Sequence, residues 1–167
     1  MKIKFSSNAE CCHVWASRSQ ETGTANNVHF ENDTIFSFGW WPMARFLPDK
    51  NIVLFRNWSY SSYTGRHLNL TRQAIPDFYE IIYVYNPGEH TAHENINDYV
   101  KNIKESFEKF QTAKKYKGRY QETEQRNRQE LKRYCKLFKC KYPAKEIKNY
   151  SFLPIKLICK FRNNRQD

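Results

Sequence analysis

Residues 28–67 read VHFENDTIFSFGWWPMARFLPDKNIVLFRNWSYSSYTGRH, and this stretch decides the fold. It holds two short apolar runs, Thr34 to Phe38 and Ile52 to Phe55. Turn formers precede each: Asn32-Asp33 before the first, Pro48-Asp49-Lys50-Asn51 before the second. Runs this short and rich in Ile, Val and Phe predict strands. Val28 to Phe30 should pair with Thr34 to Phe38 as a hairpin across Glu31-Asn32-Asp33. Phe30 and Phe36 are expected to share a core with Val53 and Phe55. Pro42 to Leu47 is predicted as a short helical turn. After the second run comes a dense polar cluster: Asn57, Tyr60, Ser61, Tyr63, Thr64, Arg66 and His67. Hydroxyls, an imidazole and a guanidinium this close together make a candidate site. The competing reading is a turn and a helix start, with Ser or Thr as caps.

Outward from this stretch, Met1 to Phe5 alternates Lys with Ile and Phe and predicts an edge strand. Ser7-Asn8-Ala9-Glu10 has the form of a helix start, and Cys12, Trp15 and Ala16 follow at helical spacing. Thr22-Gly23-Thr24 is predicted as loop. Thr64 to Ile75 predicts a helix with Leu68, Leu70 and Ala74-Ile75 on its apolar side, ended by Pro76. Tyr79 to Tyr85, YEIIYVY, predicts a central strand buried on both faces. From Ala92 onward Ile96, Tyr99/Val100, Ile103, Phe107 and Phe110 recur every three or four residues, an amphipathic helix. Lys101–Glu105, Lys104–Glu108 and Glu105–Lys109 support its outer face. Gly118 should interrupt or end it. A second helix carries Tyr120, Leu131, Tyr134/Cys135 and Phe138 on one side, and Ile155 to Phe161 alternates like a last strand. The fold class is therefore α+β: a small, mostly antiparallel sheet with flanking helices and a basic C-terminal helical hairpin. Residues 1–90 form the core, and residues 91–167 pack on it as one domain.

The 167 residues carry a net charge of +11, and its distribution is uneven. Residues 1–90 hold eight Lys and Arg against eight Asp and Glu; residues 91–167 hold 20 against nine. The whole excess therefore lies in the C-terminal part and points to a polyanionic partner, with a merely solvated helix face as the bland alternative. Aromatics are 16% of the chain, enough to build a core and too many for a disordered chain. No run is long and apolar enough for a membrane span, and the N-terminus has no signal-peptide core. Five cysteines, an odd number without a secretory signal, are expected to stay reduced. Cys135 and Cys140 are too widely spaced for a zinc knuckle. Without a P-loop or a G-x-G-x-x-G, neither metal nor cofactor is expected.

Two chemistries fit these residues. His13 and His67 would suit a metal-independent RNase if they share a cleft, because imidazole titrates near neutral pH. Arg18, Arg45 or Arg66 would then stabilise the charge on phosphorus. The alternative is binding without catalysis. Cations alternate with aromatics in Lys114-Lys115-Tyr116-Lys117-Gly118-Arg119-Tyr120, and again in Lys132-Arg133-Tyr134 and Lys139-Cys140-Lys141-Tyr142. Cations meet phosphates, and aromatic faces stack on unpaired bases. The candidate contact residues are Arg45, Tyr60, Arg66, His67, Lys114, Lys115, Lys117, Arg119, Tyr120, Arg126, Arg128, Lys132 and Arg133. Trp40-Trp41 and Trp58 are expected in the core rather than in an exposed patch.

Phe30-Glu31-Asn32-Asp33-Thr34-Ile35-Phe36-Ser37-Phe38-Gly39, then Pro42-Met43-Ala44-Arg45, then Tyr60-Ser61, Thr64 and His67, resemble the motifs of a family of small proteins of bacteriophages and plasmids, a family of unknown function. Upstream, His13-Val14-Trp15-Ala16 resembles its short His-Val/Leu-Trp-Ala segment; downstream, Asn95 and Tyr99 resemble the opening of its long C-terminal helix. Scattered motifs over residues 8–116 carry the likeness. The chain departs from the pattern at Trp40-Trp41, where a His-containing pair is expected, and at Tyr63, where a Thr is expected. The resemblance implies a mobile-element accessory protein in the host cytoplasm. Together with the basic charge, that origin fits a non-enzymatic protein that contacts nucleic acid or a host nucleoprotein, and the origin alone suggests that it blocks a host defence.

Overall fold

The computed structural model describes residues 3–152. Two compact units divide the chain, one ending at Asn95 and the other beginning at Ile96.

The first unit is a seven-stranded sheet whose spatial order is the chain order. Its strands are β1 (Ile3–Lys4), β2 (Thr22–Thr24), β3 (Val28–Glu31), β4 (Thr34–Ser37), β5 (Trp41–Leu47), β6 (Ile52–Arg56) and β7 (Glu80–Val84). From β2 to β6 all neighbours are antiparallel; β1 beside β2 and β7 beside β6 are parallel. Parallel neighbours require a crossover, and α1 (Asn8–Ser17) and α2 (Ser62–Ala74) supply one at each edge. An antiparallel meander is thus bordered by two βαβ units, and the sheet is mostly antiparallel. Cys11, Cys12, Trp15 and Ala16 of α1, with Leu68 and Ala74 of α2, share one core with Val28, Phe30, Ile35, Met43, Phe46, Val53 and Phe55 of the sheet. Trp15 lies 4.5 Å from the Phe46 ring, and its indole N–H donates to Asp33 O at 3.1 Å.

The predicted hairpin is present, with Glu31 opposite Thr34 and Asn32 in the left-handed region at φ 50°. Four local expectations are corrected. Thr22–Thr24 is strand β2, not loop. Gly23 is required there by crowding, since a Cβ would lie 2.3 Å from the Phe5 ring and 2.6 Å from that of Phe30. Trp41–Leu47 is strand β5, not a helical turn. Pro42 is tolerated because the pairing with β4 slips there, Ile35 facing Ala44 but Phe36 facing Pro42. β7 is the last strand of the sheet, not a central one: Ile82 and Val84 are buried while Glu80 and Tyr83 are exposed. Phe36 stacks on His29 at 4.8 Å and is not part of the Phe30–Val53–Phe55 core.

The second unit is helical: α3 (Ala92–Thr112), whose first turn precedes the boundary, α4 (Lys117–Leu137) and the short α5 (Ala144–Ile147). Tyr99 and Tyr134 meet at 5.9 Å between α3 and α4, and Tyr134 packs on Phe138 at 4.5 Å. Gly118 falls in the first turn of α4 rather than breaking a helix; the reversal is made by Tyr116, at φ 59°. The strand predicted for Ile155 to Phe161 lies outside the described residues. Among the described residues, no helix is long and apolar enough to cross a membrane.

Candidate nucleic-acid interface

His67, central to the polar cluster, is an interior group. It sits on the inner side of α2, 5% exposed. The backbone N–H of Asn27 donates to Asn8 Oδ1 at 3.2 Å, which turns the Asn8 amide nitrogen toward His67 Nε2 at 3.3 Å. Nε2 is then the acceptor, so the neutral ring carries its proton on Nδ1 and donates to Ser37 Oγ at 2.7 Å. Burial lowers the His67 pKa from its ordinary 6.5, which keeps this tautomer neutral. A Ser–His pair with this polarity does not activate the serine, because the ring donates to the hydroxyl instead of taking its proton. Ser37 is also fully buried. His13 is exposed on α1. It stands five residues after Asn8, roughly 140° around the helix from the side that reaches His67. The two imidazoles are not brought together.

Ser61 and Thr64 form a reciprocal cap. The Thr64 N–H donates to Ser61 Oγ at 3.2 Å, and the Ser61 N–H donates to Thr64 Oγ1 at 3.0 Å. The capping reading therefore accounts for this pair. Around them lie aromatic rings. Trp40 is 66% exposed and stacks on the exposed Tyr60 at 6.0 Å. Tyr60 meets buried Trp41 edge-on at 5.2 Å. Arg66 is exposed, with its guanidinium 5.8 Å from the Tyr63 ring centre. Arg45 Nε is engaged by Pro87 O at 2.8 Å.

Sequence reasoning missed Arg56. It closes β6, is 4% exposed, and lies 4.5 Å from the Trp41 ring centre and 5.3 Å from that of Trp58. Its nitrogens donate to Pro42 O at 2.7 Å, Tyr85 O at 2.7 Å and Asn86 Oδ1 at 3.0 Å. It forms no ion pair among the described residues; the Glu94 carboxylate, which accepts from Asn86 Nδ2 at 3.0 Å, favours its charge from beyond contact distance. Burial lowers its pKa to about 10, so the charge persists at neutral pH. Above it opens a groove of ≈ 530 Å³ lined by Arg56, Arg66 and Arg72 and by no carboxylate. Its only trace in the sequence is an arginine ending an apolar run two residues before a tryptophan. The remaining members, Trp41, Tyr85 and Asn86, arrive through strand pairing.

In the second unit, Lys114 and Lys115 are exposed in the α3–α4 turn, and Lys117, Arg119, Arg126 and Lys132 are exposed on α4. Tyr120 and Arg133 are half-buried. Arg119, Arg126 and Arg133 recur every seven residues and so follow one side of the helix. The first turn of α4 carries Lys117 and Arg119 and no acid, against the preference of the helix dipole. Two acids of this unit are paired within it. Glu105 lies between Lys101 and Lys109, and buried Glu124 holds Arg128. Arg128 also donates to Ile147 O at 3.0 Å and Tyr150 O at 2.7 Å, closing the end of α5. Its Nε and Nη2 are thus engaged within the unit. Compared with protein-family models, curated proteins and solved structures, the chain matches none.

Proposed function

We propose that the protein is a non-enzymatic accessory protein of a mobile element. It binds nucleic acid, or a nucleoprotein of the host cytoplasm, through the cationic surface of its second unit. One observation carries this reading: exposed cations gather at the α3–α4 turn and continue into the first turn of α4, where Lys117 and Arg119 disfavour that helix. Local rules broken without a local gain mark places that serve something other than folding. The resemblance to phage and plasmid proteins extends the proposal to antagonism of a host defence. The placements of His13 and His67 favour binding over an RNase.

The test is the salt dependence of binding to a labelled duplex, read by fluorescence anisotropy with the full chain. Each phosphate contact contributes roughly 0.9 to the slope of log K against log salt. The triple variant Arg119→Gln/Arg126→Gln/Lys132→Gln should lower that slope by about 2 to 3. An unchanged slope, with an unchanged melting temperature, would remove α4 from the interface.

A further inference from the structure

The cationic surface of the second unit leaves the groove of the first unit unused. That groove runs beside α2 and the edge strand β7. Ser62, Gly65, Arg66, Asn69 and Arg72 line it from α2, and Tyr83 lines it from β7. The five α2 positions fall within roughly 120° of one side of the helix. Arg56 beneath is a fixed cation. A buried charge without a carboxylate is costly unless well bonded, and its three acceptors and two indole faces meet that need. With each of its three nitrogens already donating and its side chain buried, Arg56 contributes to the groove chiefly as a field. Arg66 and Arg72 are exposed and have no carboxylate partner among the described residues. Tyr83 is 50% exposed, and its ring is held edge-on to Phe55 at 5.8 Å.

We propose that this groove takes an unpaired nucleotide of a single-stranded nucleic acid, with the base against Tyr83 and the adjoining phosphates on Arg66 and Arg72. Guanidinium groups without competing carboxylates select an anion. A fixed, half-exposed aromatic ring selects a flat, sequence-tolerant partner. Asn69 and Ser62 add polar groups for a base edge. The volume is in the range that holds small ligands. In a duplex the base is stacked and paired, so its face is closed to Tyr83. The proposal rests on nucleic acid being the partner, and it adds a preference for single strands.

The experiment compares a labelled ten-nucleotide oligo-dT, a labelled blunt-ended duplex of two separate strands and a labelled poly-glutamate peptide on the full chain. Three variants probe the groove. Tyr83→Ala removes the ring, and Arg66→Gln/Arg72→Gln removes the rim charge. Gly65→Leu fills the space without changing charge. That last change suits the helix, and a Cβ there meets Ser59 Oγ only at an ordinary 3.6 Å. Each should weaken oligo-dT binding by about tenfold, leave duplex binding unchanged and not lower the melting temperature. Oligo-dT binding that all three variants retain would overturn the proposal, as would equal losses on strand and duplex. Poly-glutamate bound as tightly as oligo-dT would replace the nucleotide by an acidic peptide. The broader reading fails separately: a wild-type chain that binds neither strand nor duplex removes nucleic acid altogether. Duplex binding lost in the α4 triple variant beside groove variants that still hold oligo-dT overturns this inference alone.

Discussion

The two crossovers that border the sheet are built alike and filled differently. β1–α1–β2 joins parallel strands at one edge, and β6–α2–β7 does so at the other. The buried residues of α1 are Cys11, Cys12, Trp15 and Ala16. Those of α2 include Thr64, His67 and Thr71 beside Leu68 and Ala74. Apolar burial stabilises without geometric demands, whereas each buried polar group needs a partner or costs free energy. On the α2 flank those partners exist. Thr71 Oγ1 donates to His67 O at 2.9 Å, His67 meets Ser37 and Asn8, and Thr64 closes the cap. The α1 flank buries apolar groups for the most part, with Trp15 and Asn8 adding hydrogen bonds to Asp33, Asn27 and His67. The α2 flank is held in one arrangement by directional bonds, and that flank carries the arginine groove. Rigid support under a cluster of polar and aromatic groups is what a binding site requires.

The sharpest test of this asymmetry lies in the outer strands. β1 is two residues long and both are exposed, while Ile82 of β7 has no exposure at all. Ile82→Asp should abolish cooperative folding, since an unpaired buried charge costs several kcal/mol, about the whole stability of a domain. Ile3→Asp should change stability by less than about 0.5 kcal/mol, as exposed substitutions do. Thermal melts followed by circular dichroism distinguish them. An Ile82→Asp protein that melts like the wild type would make β7 as dispensable an edge as β1.

How far the sequence foretold this follows from the same physics. The hairpin of β3 and β4 was legible because apolar alternation and Asn-Asp chemistry agree. α1, α2 and α3 were legible from caps and period. β2 was hidden because Gly23 signals a loop in isolation and becomes a strand residue only where two phenylalanine rings crowd it. β5 was hidden because Pro42 and Ala44 break alternation, and only the slipped pairing with β4 makes room for them. β7 was seen as a strand and misplaced, since tyrosines suit an interior and a half-exposed edge equally well. The candidate site was legible as a region and not as residues. Tyr60 and Arg66 do stand at the surface, but His67 turns inward, and Arg56 gains meaning only when β7 brings Tyr85 and Asn86 beside it.

Acid should separate the two flanks by pH. The folded pKa of His67 lies below its ordinary 6.5, so on acidification the unfolded chain takes up the proton first. Its contribution to stability is complete above the unfolded pKa and is lost as pH falls from there toward the folded pKa. On the α1 flank, Glu10 also has a lowered pKa, through hydrogen bonds from the Ser6 hydroxyl and N–H. Its contribution is present above the ordinary carboxylate pKa and disappears only at lower pH. As pH falls below about 6.5 the histidine therefore acts first. Stability should decline there by up to about 1.4 kcal/mol per pH unit. His67→Gln, melted across the same range, should show a flatter profile, and an identical slope in both proteins would assign the decline to other groups.

The caps give the finest comparison. Ser7 opens α1 with one exposed bond, its hydroxyl accepting from the Glu10 N–H at 3.1 Å. At α2, Ser61 and Thr64 satisfy each other's N–H groups, and Thr64 is fully buried. Loss of Thr64 Oγ1 strips the Ser61 N–H of its acceptor where water is largely excluded. Thr64→Ala should therefore cost on the order of 1 kcal/mol, and Ser7→Ala roughly half of that, because water replaces an exposed cap more readily. Thr64→Ser keeps the hydroxyl and should recover most of the loss, whereas Thr64→Val keeps the shape without the acceptor and should not. Denaturant midpoints for the four variants decide the matter. Equal costs at Ser7 and Thr64 would mean that burial adds nothing to the second cap. The two crossovers would then differ in composition alone and not in how firmly their helices are held.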